Sequence, residues 1–171
     1  MDLADFNALQ HDAAVATLLE ICHCHRWAEA VSEGRPFDDI DALAARCDSE
    51  WQHASEAEIL EAFAGHPRIG DVNALRDKYS SAGREQGHVG GAPETVLDQL
   101  LACNRDYEAR HGFIFIVCAS GKSAEEMLAL LQARLPNSRE QELATGAAEQ
   151  AKITALRLRR LFAADTEEST Q

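Results

Sequence analysis

Between residues 11 and 22 the apolar positions Val15, Leu18, Leu19 and Cys22 fall at the intervals that line one face of an α-helix. The same period, more weakly marked, links Ile40, Leu43, Ala44 and Cys47 across 38–47, and the polar SEGRP at 32–36 is the loop between the two segments. Ile59, Leu60 and Phe63 predict a further helix over about 50–64, closed by Gly65 and Pro67. Asp71 is placed to cap a short helix at 72–79. Beyond it, SSAGREQGHVGGAP is polar and glycine-rich, although Arg84, Glu85 and Gln86 could begin a helical turn.

The strongest helical signal is 94–110, where Leu97, Leu100, Leu101 and Tyr107 share a side and Pro93 stands at the start. Ser123 and Glu126 have the spacing of a capping box ahead of Met127, Leu128, Leu130, Leu131 and Leu135, and Pro136 ends that helix. A last helix is predicted over about 140–162. Only FIFIVC at 113–118 breaks the pattern: its β-branched and aromatic residues favour an extended chain, yet no second strand is available to pair with it. The expectation is an all-α, single-domain helical bundle over 1–171, with 163–171 as a flexible C-terminal tail. A buried, extended connector around 113–118 crosses it, and its backbone groups need partners other than a sheet.

An apolar content of 46% is enough to close one core in a chain of 171 residues. The formal charge of -13 argues against binding nucleic acid. Residues 1–60 carry 13 acidic and 3 basic side chains against 16 and 13 in the remainder, so an anion site is better sought in the second part. No apolar run reaches the roughly 20 residues of a membrane span, and MDLADFNALQ lacks the marks of a leader, which makes a cytoplasmic protein the expectation. The five cysteines read as reduced thiols.

Candidate chemistry is sparse. His66, in AGHPRIG, follows a helix and precedes a proline that keeps its backbone out of the α region, so its ring can face a pocket as a proton donor or acceptor, or serve as a cap. Glu85 and Gln86 could orient a polar heterocycle or simply begin a solvated helix. Asn104 falls among Leu97, Leu100, Leu101 and Tyr107; an amide there needs a partner, which could be the connector backbone or a ligand. At about 100° per residue the last helix groups Leu143, Ala147, Ala151, Thr154, Leu158 and Leu161, with Arg157 at the edge of that arc and Arg159 nearly opposite. An inward guanidinium takes a salt bridge or a substrate anion. Cys22, His23, Cys24 and His25 are consecutive and cannot converge on one tetrahedral metal, and Gly121-Lys122-Ser123 lacks the rest of a phosphate loop.

Taken together, HPRIG at 66–70, Glu85-Gln86, Asn104 with Tyr107, GFIFIVCASGKSAEEM at 112–127 and EQAKITALRLRRL at 149–161 resemble the OHCU decarboxylase family over almost the whole chain. The substrate of that family is 2-oxo-4-hydroxy-4-carboxy-5-ureidoimidazoline (OHCU). The resemblance implies an all-helical fold, commonly a homodimer, a site with no metal and no organic cofactor, and decarboxylation to (S)-allantoin in urate breakdown. It implies His66 and Glu85 as catalytic residues. It further implies Pro67, Gln86, Arg157 and the connector residues Ile114, Phe115, Ile116, Val117, Cys118 and Ala119 as substrate-binding. Many members carry serine at the position of Ala82; here Ser81 is the neighbouring hydroxyl. The competing expectation is a noncatalytic helical protein that binds a ureide or purine-derived metabolite.

Overall fold

The computed structural model describes residues 1–68, 76–77 and 93–163. Among these residues the regular structure is entirely α-helical: α1 (Leu3–Ala8), α2 (His11–Ile21), α3 (His25–Glu33), α4 (Ile40–Gln52), α5 (Glu56–Ala64), α6 (Glu94–His111), α7 (Ala124–Arg134) and α8 (Arg139–Ala163). The chain divides into two compact units, one formed by Met1–Gly65 with Ala147–Gln171 and the other by His66–Gly146.

In the first unit α2, α3 and α4 pack in succession, and their apolar faces meet around Phe6, Leu18, Trp27, Val31 and Leu43, all fully buried, with Leu158 and Phe162 from the end of α8. Burial leaves polar groups to be matched, and the two tryptophans show how: Trp27 Nε1 donates to Cys47 O at 3.0 Å and Trp51 Nε1 to Ala147 O at 2.9 Å. The capping chemistry fixes where helices start. Asp2 and Asp5 form a reciprocal capping box at α1, and Ser55 and Glu58 form another at α5.

In the second unit α6 packs on α7. Leu97, Leu100 and Tyr107 of α6 and Met127, Leu128 and Leu131 of α7 are buried. Gly112 ends α6 in the left-handed region at φ 80°, a conformation that costs a glycine nothing, and its N–H donates to Glu108 O at 2.8 Å. The chain then runs without regular structure from 114 to 119 and turns at Gly121, φ 76°, into Ser123, whose side chain accepts the Glu126 N–H at the start of α7.

Several boundaries differ from the sequence expectation. Helices α1 and α3 are additional to it, and the segment expected as one helix over 50–64 is two: its first residues finish α4, and Ser55 starts α5 afresh. At Ser123 the forward half of the expected capping box is present. The buried stripe of α8 runs through Glu142, Gly146, Gln150, Thr154, Leu158 and Phe162: it shares Thr154 and Leu158 with the expected arc, while Leu143, Ala147, Ala151 and Leu161 are half-buried one position away, because polar residues occupy the first part of the buried face. The connector is less buried than expected: Phe113 and Ile116 are buried, whereas Ile114, Phe115, Val117, Cys118 and Ala119 are half-buried. The expected short helix at 72–79, of which 76 and 77 are described and helical, and the tail beyond 163 fall otherwise outside the described residues.

Candidate functional site

The second unit contains a pocket of about 260 Å³. Three segments build its wall. The chain after His66 supplies Pro67 and Arg68, α6 supplies Asn104, Arg105 and Glu108 from successive positions on one face, and the connector supplies Ile114 and Phe115. Arg68 Nη2 pairs with Glu108 Oε1 at 2.5 Å and so ties the His66 loop to α6. The wall is mixed, with apolar Pro67, Ile114 and Phe115 facing amide, guanidinium and carboxylate groups, which suits a small polar ring bearing charge. His66 itself is half-buried and immediately precedes Pro67. Asn104 does reach this pocket, but its Nδ2 donates to Leu100 O in its own helix at 2.8 Å, so that bond goes neither to the connector nor to a ligand.

Against the pocket-wall residue Phe115, through Arg134 and Tyr107, lies a buried polar cluster that spans several helices. Glu142 is 0% exposed and accepts from Tyr107 Oη at 2.8 Å, Arg134 Nε at 2.7 Å and Asn137 Nδ2 at 3.1 Å. Burial alone would raise the Glu142 carboxyl; hydrogen bonds from Asn137, Tyr107 and Arg134, with the guanidinium's charge, outweigh it and hold the carboxyl below its ordinary range. Burial and the bond to Glu142 push the Tyr107 hydroxyl up, which keeps it a donor. Arg134 Nη1 donates to Ile116 O at 2.8 Å, and Lys122 Nζ donates to Cys118 O at 2.8 Å. These two cations supply partners that the strandless connector needs.

In the first unit, Arg157 is half-buried and Arg159 exposed, the order that the helical period predicts. Arg157 Nη1 donates to Ile21 O at 2.9 Å, at the C-terminal end of α2, where a cation meets carbonyls unpaired within the helix. Cys22 caps the end of α2 and Cys24 caps the start of α3, so Cys22 to Cys24 form the break between the two helices and His25 opens the second. Burial is the main cause that pushes the Cys22 and Cys47 thiols up to about 12, which leaves them protonated and poorly nucleophilic. His25 Nδ1 lies 3.0 Å from Glu61 Oε2. Among the described residues no group of three or more His, Cys, Asp or Glu side chains could hold a metal ion, and no helix is long and apolar enough to cross a membrane.

Of the residues singled out from sequence, Pro67, Asn104, Ile114 and Phe115 come together in the pocket wall. Ile116, Val117, Cys118 and Ala119 continue the connector beyond it. Glu85 and Gln86, and with them Ala82 and Ser81, lie outside the described residues. Sequence reasoning missed Arg68, Arg105 and Glu108, and it missed Arg134 and Glu142. For Arg134 a local signal existed, since it continues the stripe of Ala124, Met127, Leu128 and Leu131 on α7, whereas Glu142 lies on a face of α8 occupied largely by polar residues and carried none.

An all-helical fold with a small pocket of mixed polarity suits a small polar ligand. The profile of the family described as OHCU decarboxylase matches residues 7–159, and the chain belongs to that family. It is 34% identical over 145 residues to the uric acid degradation bifunctional protein TTL of Arabidopsis thaliana, covering 82% of this chain and 45% of that protein. The chain thus spans less than half the length of that relative, and about a third of the bifunctional PucL of Bacillus subtilis (32%). To the 2-oxo-4-hydroxy-4-carboxy-5-ureidoimidazoline decarboxylase of Amia calva it is 30% identical, with 92% of this chain and 93% of that protein covered. A crystal structure of OHCU decarboxylase in the presence of (S)-allantoin superposes with a TM-score of 0.73 at 30% identity, covering 86% of this chain and 97% of the other.

Proposed function

We propose that this chain decarboxylates OHCU to (S)-allantoin without a metal or organic cofactor. The observation that carries the reading is family membership over 7–159, joined to near-complete coverage of a decarboxylase solved in the presence of (S)-allantoin. The chemistry is self-sufficient. The carbon–carboxylate bond breaks, carbon dioxide leaves, and the electron pair moves into the adjacent carbon–nitrogen double bond of the ring, whose nitrogen takes a proton. The resulting enol loses its hydroxyl proton and the neighbouring ring carbon gains one, which creates the stereocentre. The ring is the electron sink, so no Schiff base is needed.

His66 takes the hydroxyl proton and controls its return, and Glu85 orients His66 or the hydroxyl. Pro67 and the connector from Ile114 to Ala119 shape the wall against which the ring lies. Gln86 and Arg157 hold the ureido and carboxylate groups, the planar fork of Arg157 matching a carboxylate. Placement of these groups lowers the barrier by fixing one pose and by stabilising charge as it develops. The chain works as one family domain, as a homodimer in the cytoplasm; sedimentation of the purified chain tests the dimer.

The direct experiment generates OHCU from urate in situ with the two preceding enzymes and follows its ultraviolet decay. Added wild-type chain accelerates the decay in proportion to its concentration, and His66→Asn does not. Saturable binding of allantoin with no acceleration of decay would select the noncatalytic ureide-binding reading instead.

A further inference from the structure

The connector from 113 to 118 has no strand beside it, yet two of its residues, Ile114 and Phe115, form pocket wall. Two cations hold its carbonyls, Lys122 at Cys118 O and Arg134 at Ile116 O, and Arg134 is the one that also touches the pocket-wall residue Phe115. Arg134, 9% exposed on the last turn of α7, donates from Nη1 to Ile116 O at 2.8 Å and lays its guanidinium over the Phe115 ring at 4.4 Å from the centroid. Its Nε is held by fully buried Glu142 at 2.7 Å, and Glu142 is held in turn by Tyr107 and Asn137. Tyr107 completes the seat, its ring meeting Phe115 edge-on at 5.2 Å. The guanidinium therefore contacts the connector twice, through a carbonyl and through a ring, while a carboxylate fixes its own orientation.

A buried ion pair is weak evidence of net stabilisation, since desolvating two charges offsets most of their attraction. Its better-supported use is to select one geometry among several, and here the selected geometry is that of a pocket wall. We infer that Arg134 is a positioning residue of the active site: it acts through Phe115 and Ile116 and sets the wall against which the substrate ring lies. This rests on the decarboxylase reading for the identity of the substrate, but the hold of Arg134 on the connector can be measured without any substrate.

Arg134→Lys keeps the charge but loses the planar fork, so one ammonium cannot serve Glu142, Ile116 O and the Phe115 face together. Asn137→Ala is the comparison, because it removes a bond to the same carboxylate without touching the connector. Hydrogen exchange of the backbone amides and steady-state kinetics with OHCU are measured on both. Arg134→Lys is expected to speed exchange selectively at 113–118 and to lower kcat/KM by about tenfold or more. Asn137→Ala is expected to lower the melting temperature while connector exchange and kcat/KM stay near wild type. Should Arg134→Lys fail to fold, Arg134→Met combined with Glu142→Gln leaves no stranded charge and has no donor for Ile116 O; the same selective exchange is expected. Unchanged connector exchange in the folded variants, or losses of activity that track melting temperature equally in Arg134→Lys and Asn137→Ala, would overturn the inference. A wild-type chain that does not turn over OHCU removes the decarboxylase reading alone, and the exchange comparison still decides whether Arg134 holds the connector.

Discussion

Arg157 and Arg159 are two positions apart on α8 and the helix sends them to different surroundings, one half-buried with a hydrogen bond to Ile21 O, the other exposed. Replacing Arg157 by Lys should therefore act twice. Loss of the bond at the end of α2 is expected to cost on the order of 1.5 to 3 kcal/mol, read from denaturant melts. Loss of the planar fork is expected to weaken inhibition by a carboxylated ring analogue. Arg159→Lys should change neither quantity, and a melting shift for Arg157→Lys with unaltered inhibition would assign Arg157 to the scaffold. His66 carries the opposite signature. His66→Asn should lower kcat by about 10²- to 10⁴-fold, the usual reach of general acid–base catalysis, with helical content by circular dichroism unchanged. The split between Arg157 and Arg159 was legible from periodicity alone, since the period fixes which way a side chain faces. Periodicity does not say what a half-buried guanidinium meets: Ile21 is far away in sequence, and nothing local announces its carbonyl.

Helix ends govern how the loop bearing His66 leaves the first unit. Gly65 ends α5, and a Cβ built there would lie 2.4 Å from His23 Cβ, an atom too close to its own backbone to swing aside. Gly65→Ala should thus force the chain apart just before His66. The expected result is destabilisation by about 1 to 3 kcal/mol together with reduced turnover. His23→Gly in the same background should restore much of both; a Gly65→Ala protein with wild-type melting and activity would show that this close approach is not needed. The same elements show where reading by hydrophobic period succeeds. Long helices with a cap and a stop, such as α6 between Pro93 and Gly112, are legible because several local signals coincide. Helix α1 has six residues, too few to show a period, and α3 is separated from α2 by little more than His23. The break within 50–64 was encoded in Ser55 and Glu58, whose capping box an apolar pattern passes over.

At the scale of the whole molecule the acidic composition sets the response to pH. Three carboxyls, Glu58, Glu61 and Glu142, are held below their ordinary value of 4.5: each would be raised by burial, but hydrogen bonds and cationic partners outweigh it. A carboxyl depressed on folding contributes stability that is fully present above its unfolded value and is lost as pH falls through the folded one. The chain should therefore hold its denaturant midpoint from neutral pH down to about 5 and lose it progressively below about 4.5. Tyr107→Phe, which removes one bond that keeps Glu142 ionised, should flatten that acid dependence; an identical slope in the variant would remove Glu142 from the account. The all-helical architecture was legible because it follows from many weak periodic signals added over the chain. The Arg134–Glu142 cluster was not, because it joins α6, α7, α8 and the connector through charges that a hydrophobic reading assigns to the surface.

Polarimetry of OHCU decay asks in one experiment whether this chain carries out a stereospecific decarboxylation that needs no metal. Chain treated with chelator is added to OHCU freshly made from urate, and optical rotation is followed with and without added divalent metal. Optically active (S)-allantoin is expected to appear rapidly and at the same rate in both samples. Racemic allantoin at the unassisted rate, or activity that returns only with metal, would contradict that expectation.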